Sequence, residues 1–204
     1  MAMKAGIRGL KRWAIEIAVA ICAIHLGWLM YAGASSPVGG EMPCQRNKDF
    51  PRTFISRIHL DLTSPNSLVT LTWCGPNAAT QDAGPFHSSP GAGWGTNNCN
   101  DSVESNCPNS MCTPKGTRKV EGFMDHLKDG EEFRYVTLID RERSIGFHAH
   151  PSVPPYPASK GCVRLEPHAA RLIYDNAIAG KTEIVIGGTW TNPNTVVGDA
   201  KQGS

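Results

Sequence analysis

The chain of 204 residues has little charge and almost no excess of either sign. Only 19% of its residues are Asp, Glu, Lys or Arg, and the formal net charge at pH 7 is +2. A protein that binds nucleic acid usually presents a strongly basic surface, so this composition argues against a nucleic-acid partner. The sequence has no internal repeat, and its 21 Gly and 15 Pro exclude a bundle of long helices. Because 40% of the residues are hydrophobic, we expect one domain with one core.

The small positive charge is concentrated at the N-terminus. Residues 1–34 carry a net charge of +3, which leaves −1 for the rest of the chain. A basic lead is followed by a largely apolar run, residues 13–31, and then by Ala32-Gly33-Ala34. This pattern predicts a signal peptide or an N-terminal membrane anchor over residues 1–34, and the sequence leaves both open. We therefore expect an exported protein of the periplasm or cell envelope, which residues 13–34 would hold in the inner membrane if they are retained.

The remainder divides into a linker at residues 35–52, a domain at residues 53–190 and a flexible tail at residues 191–204. Apolar alternation or short apolar runs predict strands, and one apolar stripe with helical spacing predicts a helix. The predicted strands are Phe54–Leu62, Leu68–Cys74, Phe133–Ile139, Ser144–His148 and Thr182–Ile186, and the predicted helix is Pro167–Ala179. Residues 75–111 are predicted to form a long loop. The fold class is therefore mainly β, a β-rich α+β domain with five or six strands and one prominent helix.

Five of the seven cysteines lie between the N-terminal segment and Cys162. Outside the cytoplasm these five would form two disulfides and leave one cysteine over. The nearby pairs are Cys99–Cys107 and Cys107–Cys112, and Cys44–Cys74 would tie the linker to the second strand. The sequence does not choose among the possible pairings.

Residues able to perform covalent chemistry gather around Cys162. A thiol becomes a good nucleophile when a base or a positive field generates the thiolate. Two histidines at the end of a predicted strand can supply the base, and glycine beside the cysteine lets a substrate carbonyl approach backbone amides. The candidate site residues are Ser159, Gly161, Cys162, Arg164, His148 and, as an alternate base, His150.

These residues resemble a known signature. The segment Ser159-Lys-Gly-Cys-Val-Arg-Leu165 follows a strand that ends in His148 and precedes a helix and a strand. It is similar to the Ser-x-Gly-Cys-hydrophobic-Arg/Asn motif of the YkuD-type L,D-transpeptidase domain. Thr113-Pro-Lys-Gly116 is similar to the Thr-Pro-x-Gly turn of that family, although it is first of all a common turn sequence. The chain departs from the family in having Lys160 before Gly161, His148-Ala-His150 instead of His-Gly, and a short, proline-rich connection between His148 and Cys162.

The resemblance implies an L,D-transpeptidase-like mixed β-sheet or sandwich domain that needs no metal or cofactor. Cys162 would attack the carbonyl between diaminopimelate and D-alanine of a peptidoglycan tetrapeptide stem, and the acyl group would pass to an amine of a second stem. His148 would be the base, with His150 as the alternate. Amides of Gly161 and Cys162 would bind the oxyanion, while Arg164 would position substrate or loop beside the motif's Ser159. Such an enzyme would cross-link or remodel the cell wall.

Three other interpretations remain open at this stage. Transfer to water would make the protein an L,D-carboxypeptidase or another cysteine hydrolase. A non-catalytic, disulfide-bonded envelope or cell-wall-binding protein would keep the fold and lack a reactive thiol. A zinc site made by His148, His150 and Cys162 is the weakest of the three, because a nearby Cys-x-x-Cys pattern is missing.

Overall fold

The computed structural model describes Cys44 and residues 52–63, 66–93, 98–127 and 133–190. The predicted export segment, the predicted tail and most of the predicted linker lie outside these residues. The chain divides at residue 40 into two parts, and every described residue belongs to the second part. In the described part of the chain, no helix has the length and apolar character needed to cross a membrane.

The described residues form one mixed sheet of nine strands. Its order is β4-β9-β1-β2-β3-β8-β7-β6-β5. The strands are β1 Phe54–Asp61, β2 Leu68–Cys74, β3 Phe86–Ser89, β4 Gly116–Lys119, β5 Gly122–His126, β6 Arg134–Asp140, β7 Ile145–Ala149, β8 Val163–Leu165 and β9 Glu183–Gly187. Only the pairs β1–β9 and β7–β8 are parallel. The predicted mainly β fold with a mixed sheet and one prominent helix is confirmed.

Two α-helices and one short 3-10 helix complete the described part. They are α1 Ser102–Asn106, α2 Pro167–Asn176 and the 3-10 helix Ala78–Thr80. The predicted helix ran to residue 179, but Ala177 has an extended backbone with ψ of 161°. The apolar pattern continued past the helix because Ala177 is still buried in the core, at 5% exposure. Burial therefore extends one residue beyond the helical backbone.

The prediction of a single long loop at residues 75–111 was wrong. This segment contains β3 and α1. The carboxylate of Asp101 caps α1, because it accepts hydrogen bonds from the N–H groups of Val103 (2.7 Å) and Glu104 (2.9 Å). Strands β4, β5 and β8 were also missed. Each has five residues or fewer, which is too short to show a clear alternation of apolar residues.

Helix α2 packs on β6 and β7 and closes the hydrophobic core. Its buried face consists of Ala169, Ala170 and Ile173, which belong to the same hydrophobic core as the fully buried Phe147 and Val163 of the sheet. Small residues on the helix let it approach the sheet closely. Strands β7 and β8, which lead into the candidate site, are thereby fixed from behind.

Two disulfides join the described cysteines. One links Cys44 to Cys74, which is one of the pairs considered from the sequence. The other links Cys99 to Cys112 and not either of them to Cys107. This second bridge joins the two ends of the segment that contains α1. Among the described cysteines, Cys162 has the free thiol.

Candidate active site

Cys162 lies at the point where the chain enters β8, beside the parallel strand β7. The register pairs Phe147 with Val163 and His148 with Arg164. Phe147 and Val163 are fully buried in the core. Because side chains alternate between the faces of a strand, His148 and Arg164 lie on the opposite face, and Cys162 precedes Arg164 by two residues. The fold therefore brings three of the candidate residues to one face of one strand pair.

The thiol of Cys162 is half-buried and neutral at physiological pH. Its Sγ lies 3.6 Å from the backbone carbonyl oxygen of Ser144. Burial raises the pKa of Cys162 above its ordinary value, while a hydrogen bond from the Gly146 backbone and the charge of Arg164 act in the opposite direction. Burial outweighs these two effects, so the resting group is the thiol and not the thiolate.

His148 is buried, with 2% of its surface exposed, and it is held in one tautomer. Its Nδ1 lies 2.8 Å from the carbonyl oxygen of Ala149, so this nitrogen carries the proton and donates it. Nε2 is then left with a basic lone pair. Burial lowers the pKa of His148 to about 4, assisted by His150 and Arg164 and opposed by the Ala149 carbonyl. The imidazole is therefore neutral at pH 7.

The alternate base, His150, is held less specifically. Its Nδ1 lies 2.9 Å from the N–H of Ser152 and 2.7 Å from the carbonyl oxygen of the same residue. Ser152 therefore provides a partner for either tautomer of His150, whereas Ala149 provides only an acceptor for His148. His150 also lines a cavity of about 470 Å³ together with Pro151, Val153, Glu166, Pro167 and His168.

Phe133 covers both histidines and was not identified from the sequence. Its ring centroid lies 5.2 Å from that of His148 and 5.3 Å from that of His150. The first contact has edge-to-face geometry, which is favourable for aromatic rings. The ring adds to the burial that keeps His148 neutral. Phe133 directly precedes β6, and nothing in the sequence distinguishes it from an ordinary core residue of a strand.

The turn before Cys162 is fixed by Ser159 and requires glycine at position 161. The Ser159 hydroxyl donates a hydrogen bond to the Cys162 carbonyl oxygen and accepts one from the Gly161 N–H at 3.2 Å. Gly161 has φ of +119°, and a Cβ there would lie 2.7 Å from Cδ1 of Ile145. Ser159 therefore has a definite structural place in the site, and only glycine fits beside it.

Thr113 reaches the same turn from a distant part of the chain. Its side chain is buried, and its hydroxyl donates to the Gly161 carbonyl oxygen at 2.7 Å. The same hydroxyl accepts from the Gly91 N–H at 2.8 Å. From the sequence, Thr113-Pro-Lys-Gly116 was predicted mainly to form a turn. The similarity of this segment to the Thr-Pro-x-Gly turn was the only signal that pointed to Thr113.

The described residues contain no group of three or more His, Cys, Asp or Glu side chains arranged to hold a metal ion. His148, His150 and Cys162, considered above as zinc ligands, do not form such a group. The groups available for chemistry in this part of the molecule are thus a thiol, an imidazole, a guanidinium and backbone amides.

Comparisons with known proteins were made on sequence and on structure. The family YkuD, the L,D-transpeptidase catalytic domain, matches residues 76–186. A search among curated proteins gave no match. Similar solved structures include L,D-transpeptidases from three bacteria. That of Xylanimonas cellulosilytica is 16% identical with a TM-score of 0.44, and the alignment covers 79% of this chain and 68% of that one. The structure from Stackebrandtia nassauensis is 17% identical with a TM-score of 0.42, and the alignment covers 67% of this chain and 57% of that one. The structure from Mycobacterium tuberculosis is 16% identical with a TM-score of 0.44, and the alignment covers 64% of this chain and 57% of that one.

The chain spans 57% to 68% of the length of these three structures. At such identities and TM-scores they carry no part of the assignment, which rests on the sequence-family match. The matched range contains Thr113, His148, Cys162 and Arg164. Because the match covers more than half of the chain, the protein belongs to the YkuD family of L,D-transpeptidase catalytic domains and is an enzyme of that class.

Proposed function

We propose that the protein is a peptidoglycan L,D-transpeptidase with Cys162 as its nucleophile. It cleaves the bond between diaminopimelate and D-alanine in a tetrapeptide stem and transfers the acyl group to an amine of a second stem. The observation that carries this proposal is that one free thiol immediately precedes β8, while one oriented imidazole lies on the neighbouring strand β7. Cys162 lies on the same face of β7–β8 as His148, whose Nδ1 is held by Ala149.

Proton transfer through His148 follows from its tautomer. Nε2 takes the proton of the Cys162 thiol as sulfur attacks the carbonyl carbon, and the resulting imidazolium is stabilised by the Ala149 carbonyl oxygen. The tetrahedral intermediate then expels the amine of D-alanine, which takes the proton back from Nε2. A thioester on Cys162 remains. An acceptor amine attacks it, gives its proton to His148 and leaves a new amide with the thiol restored.

The Cys162 N–H is the oxyanion donor in this proposal. Gly161 contributes no free amide, since its N–H is bonded to the Ser159 hydroxyl. Within the described residues the Cys162 N–H has no acceptor, so it is available to a developing negative charge. Arg164 adds a positive charge close enough to favour the thiolate of Cys162. This guanidinium would also attract a carboxylate of the stem peptide.

His148 is preferred to His150 as the base. In the β7–β8 register, His148 is level with Arg164, while His150 lies two residues beyond it and further from Cys162. His148 also has the fixed tautomer that leaves Nε2 free for the proton. In this proposal His150 takes no proton from Cys162 and acts only through its charge, which lowers the pKa of His148.

We further propose that the enzyme works outside the cytoplasmic membrane. The basic lead and apolar run of residues 1–34 support export. Two disulfides agree with an oxidising compartment. Residues 13–34 are either cleaved or retained as an inner-membrane anchor. The mass of the mature protein isolated from cells distinguishes the two.

The test is the mass of the acyl-enzyme formed with a disaccharide-tetrapeptide. We expect the intact protein to gain the mass of the acyl group and to release one D-alanine per protein molecule. Cys162→Ala should form no adduct, and His148→Gln should form it at least about a hundredfold more slowly, since general base catalysis contributes on this scale. Circular dichroism of both variants checks that the fold is retained.

The alternatives predict different products. A stem dimer after addition of an amine acceptor supports the transpeptidase, whereas a tripeptide alone indicates an L,D-carboxypeptidase. Release from stems that have an L-amino acid in place of D-alanine indicates another cysteine hydrolase. Absence of any adduct, with binding to peptidoglycan intact, would identify the non-catalytic wall-binding protein and refute the proposal.

A further inference from the structure

Thr113 has a buried hydroxyl whose hydrogen bonds can run in only one direction. The side chain lies between Gly91 and Gly161, and 2% of the residue's surface is exposed. The Gly91 N–H can only donate, so at this contact the hydroxyl oxygen accepts. Its single proton is then used on the carbonyl oxygen of Gly161 at 2.7 Å. The side chain therefore acts as a fixed donor toward the residue that precedes the nucleophile.

Holding this carbonyl also sets the direction of the Cys162 N–H. The Gly161–Cys162 peptide bond is trans, and in a trans peptide the C=O and N–H groups point in opposite directions. With the Gly161 oxygen drawn toward Thr113, the N–H of Cys162 points away from Thr113. Ser159 binds the Gly161 N–H and the Cys162 carbonyl. Three polar groups around this peptide are therefore bound within the protein, and the Cys162 N–H is left over.

A flexible residue makes this restraint necessary. Gly161 has φ of +119°, a backbone conformation that glycine adopts without strain. Without a partner for its carbonyl, the peptide plane between Gly161 and Cys162 could rotate and point an oxygen where the oxyanion forms. The Thr113 hydroxyl opposes that rotation. Thr113 is itself fixed from the other side, because Arg143 donates to the carbonyl oxygen of the preceding Cys112 at 2.5 Å.

We propose that Thr113 is a positioning residue that orients the Cys162 N–H as the oxyanion donor. It touches no reacting atom and acts through the peptide between Gly161 and Cys162. The inference rests on the proposed function, because it assumes that a tetrahedral oxyanion forms at this N–H. It adds a specific residue to that function, separated by 48 positions in sequence from the residue that it holds.

The test compares two reactions of the same thiol. Acylation by a tetrapeptide stem develops an oxyanion, whereas alkylation by iodoacetamide does not. We expect Thr113→Val, which keeps the shape and removes the hydroxyl, to lower the rate of acylation at saturating substrate about 10- to 100-fold. This is less than the roughly 100- to 1,000-fold cost of removing an oxyanion donor outright, because the Cys162 N–H is retained and only its orientation is lost. KM and the alkylation rate at pH 9 should stay within about twofold. Thr113→Ser, which keeps the hydroxyl, should acylate within about threefold of the unaltered chain.

Each result decides the matter. A parallel loss of acylation and alkylation in Thr113→Val would mean general disruption of the site and would overturn the inference, as would unchanged acylation. If Thr113→Val does not fold, Thr113→Ala removes the same hydroxyl and is measured in the same two reactions. If the unaltered chain acylates and these variants acylate equally well, only the role of Thr113 is wrong. If the unaltered chain forms no thioester, the proposed function itself fails.

Discussion

At the residue scale, the nucleophile and its proposed base both rest in their neutral forms. Burial raises the pKa of Cys162 and lowers that of His148. A preformed ion pair of thiolate and imidazolium is therefore disfavoured, and proton transfer has to accompany attack on the substrate. This differs from cysteine enzymes in which a charged histidine keeps the thiolate populated at low pH. The difference is measurable in the absence of substrate.

Alkylation of Cys162 should accelerate with pH well into the alkaline range. Only the thiolate reacts with iodoacetamide, and a raised pKa keeps the thiolate scarce at neutral pH. The second-order rate, followed by intact mass from pH 6 to pH 10, should rise about tenfold per pH unit at first and show no plateau below pH 9. Arg164→Gln should shift the curve to still higher pH, since the charge that favours the thiolate is lost. The alkylation rate of Cys162→Ala is subtracted to correct for reaction at other cysteines. A plateau of the rate near pH 6 would contradict a neutral Cys162 thiol in the resting protein.

His148 should make the protein less stable in acid. Its pKa is about 4 in the folded protein and about 6.5 in an unfolded chain. Between these values the unfolded chain binds a proton that the folded chain does not. The stabilisation is therefore complete above pH 6.5 and is lost as the pH falls through 4. The difference amounts to about 3 kcal/mol of the free energy of unfolding.

Urea unfolding at pH 7, 5.5 and 4 measures this effect. His148→Gln keeps an amide donor near Ala149 but has no imidazole to protonate. From pH 7 to pH 4 its free energy of unfolding should therefore fall by about 3 kcal/mol less than that of the unaltered chain. Other titrating groups contribute equally to both proteins and cancel. Parallel pH profiles would show that His148 is as easily protonated in the folded protein as in the unfolded one.

At the element scale, the sequence reveals elements that have an apolar alternation or an apolar run of their own. Strands β1 and β9 alternate between buried and more exposed residues, whereas β6 and β7 are mostly buried runs. These strands, β2 and helix α2 have five residues or more, and each was predicted close to its observed range. Strand β8 has three residues and exists because β3 and β7 pair with it on either side. Its position could be inferred only from the Cys motif. Short elements of this kind are determined by tertiary pairing and not by local pattern.

The candidate site shows the same limit. Cys162, His148 and Arg164 were recognised because the motif places them within one segment of the chain. Thr113 and Phe133 reach the site through contacts across 48 and 15 positions respectively. Phenylalanine at a strand end is common and has no local sign of its role, and for Thr113 the only local sign was the similarity of its turn to the Thr-Pro-x-Gly sequence. Only the folded chain shows which turn and which strand end meet the nucleophile.

The turn before β8 should tolerate no side chain at position 161. Gly161→Ala combines an unfavourable positive φ with a Cβ contact of 2.7 Å to Ile145, so we expect a loss of about 2–4 kcal/mol in the free energy of unfolding. Gly116→Ala is the matched control, because Gly116 has φ of +107° and a Cβ there would meet nothing within 4 Å. That change should cost about 1–2 kcal/mol. Equal losses in urea unfolding would mean that the contact with Ile145 relaxes freely.

At the scale of the whole molecule, the site depends on segments that return to one place in the sheet. Strand β8 lies between β3 and β7, and a parallel neighbour such as β7 can be reached only by a crossover connection. That connection, residues 150–162, is hydrogen-bonded to the last residue of β3 and to the segment that follows β3. Ser89 donates to the Tyr156 carbonyl oxygen at 2.6 Å, and Ala92 donates to that of Ser159 at 2.9 Å. The connection that leads to Cys162 is thus held in place by hydrogen bonds to residues outside β7 and β8.

The two disulfides that join pairs of described cysteines should have separable effects on stability and catalysis. The Cys99–Cys112 bridge closes 13 positions and ends next to Thr113, whereas Cys44–Cys74 closes 30 positions and ends at the last residue of β2. By loop closure we expect replacement of each pair with alanine to cost about 3 and about 4 kcal/mol, respectively. Only loss of the first should also lower the rate of acylation several-fold, because the segment that fixes Thr113 is then released at one end.

The measurement compares thermal midpoints with acylation rates taken well below each midpoint. A pair of variants that lose stability alike but differ in acylation would show that the Cys99–Cys112 bridge acts on the site through Thr113. Equal acylation in both would mean that the hydrogen bond from Arg143 to Cys112 is sufficient to hold the segment. In that case the bridge stabilises the fold and the hydrogen bonds alone position the nucleophile.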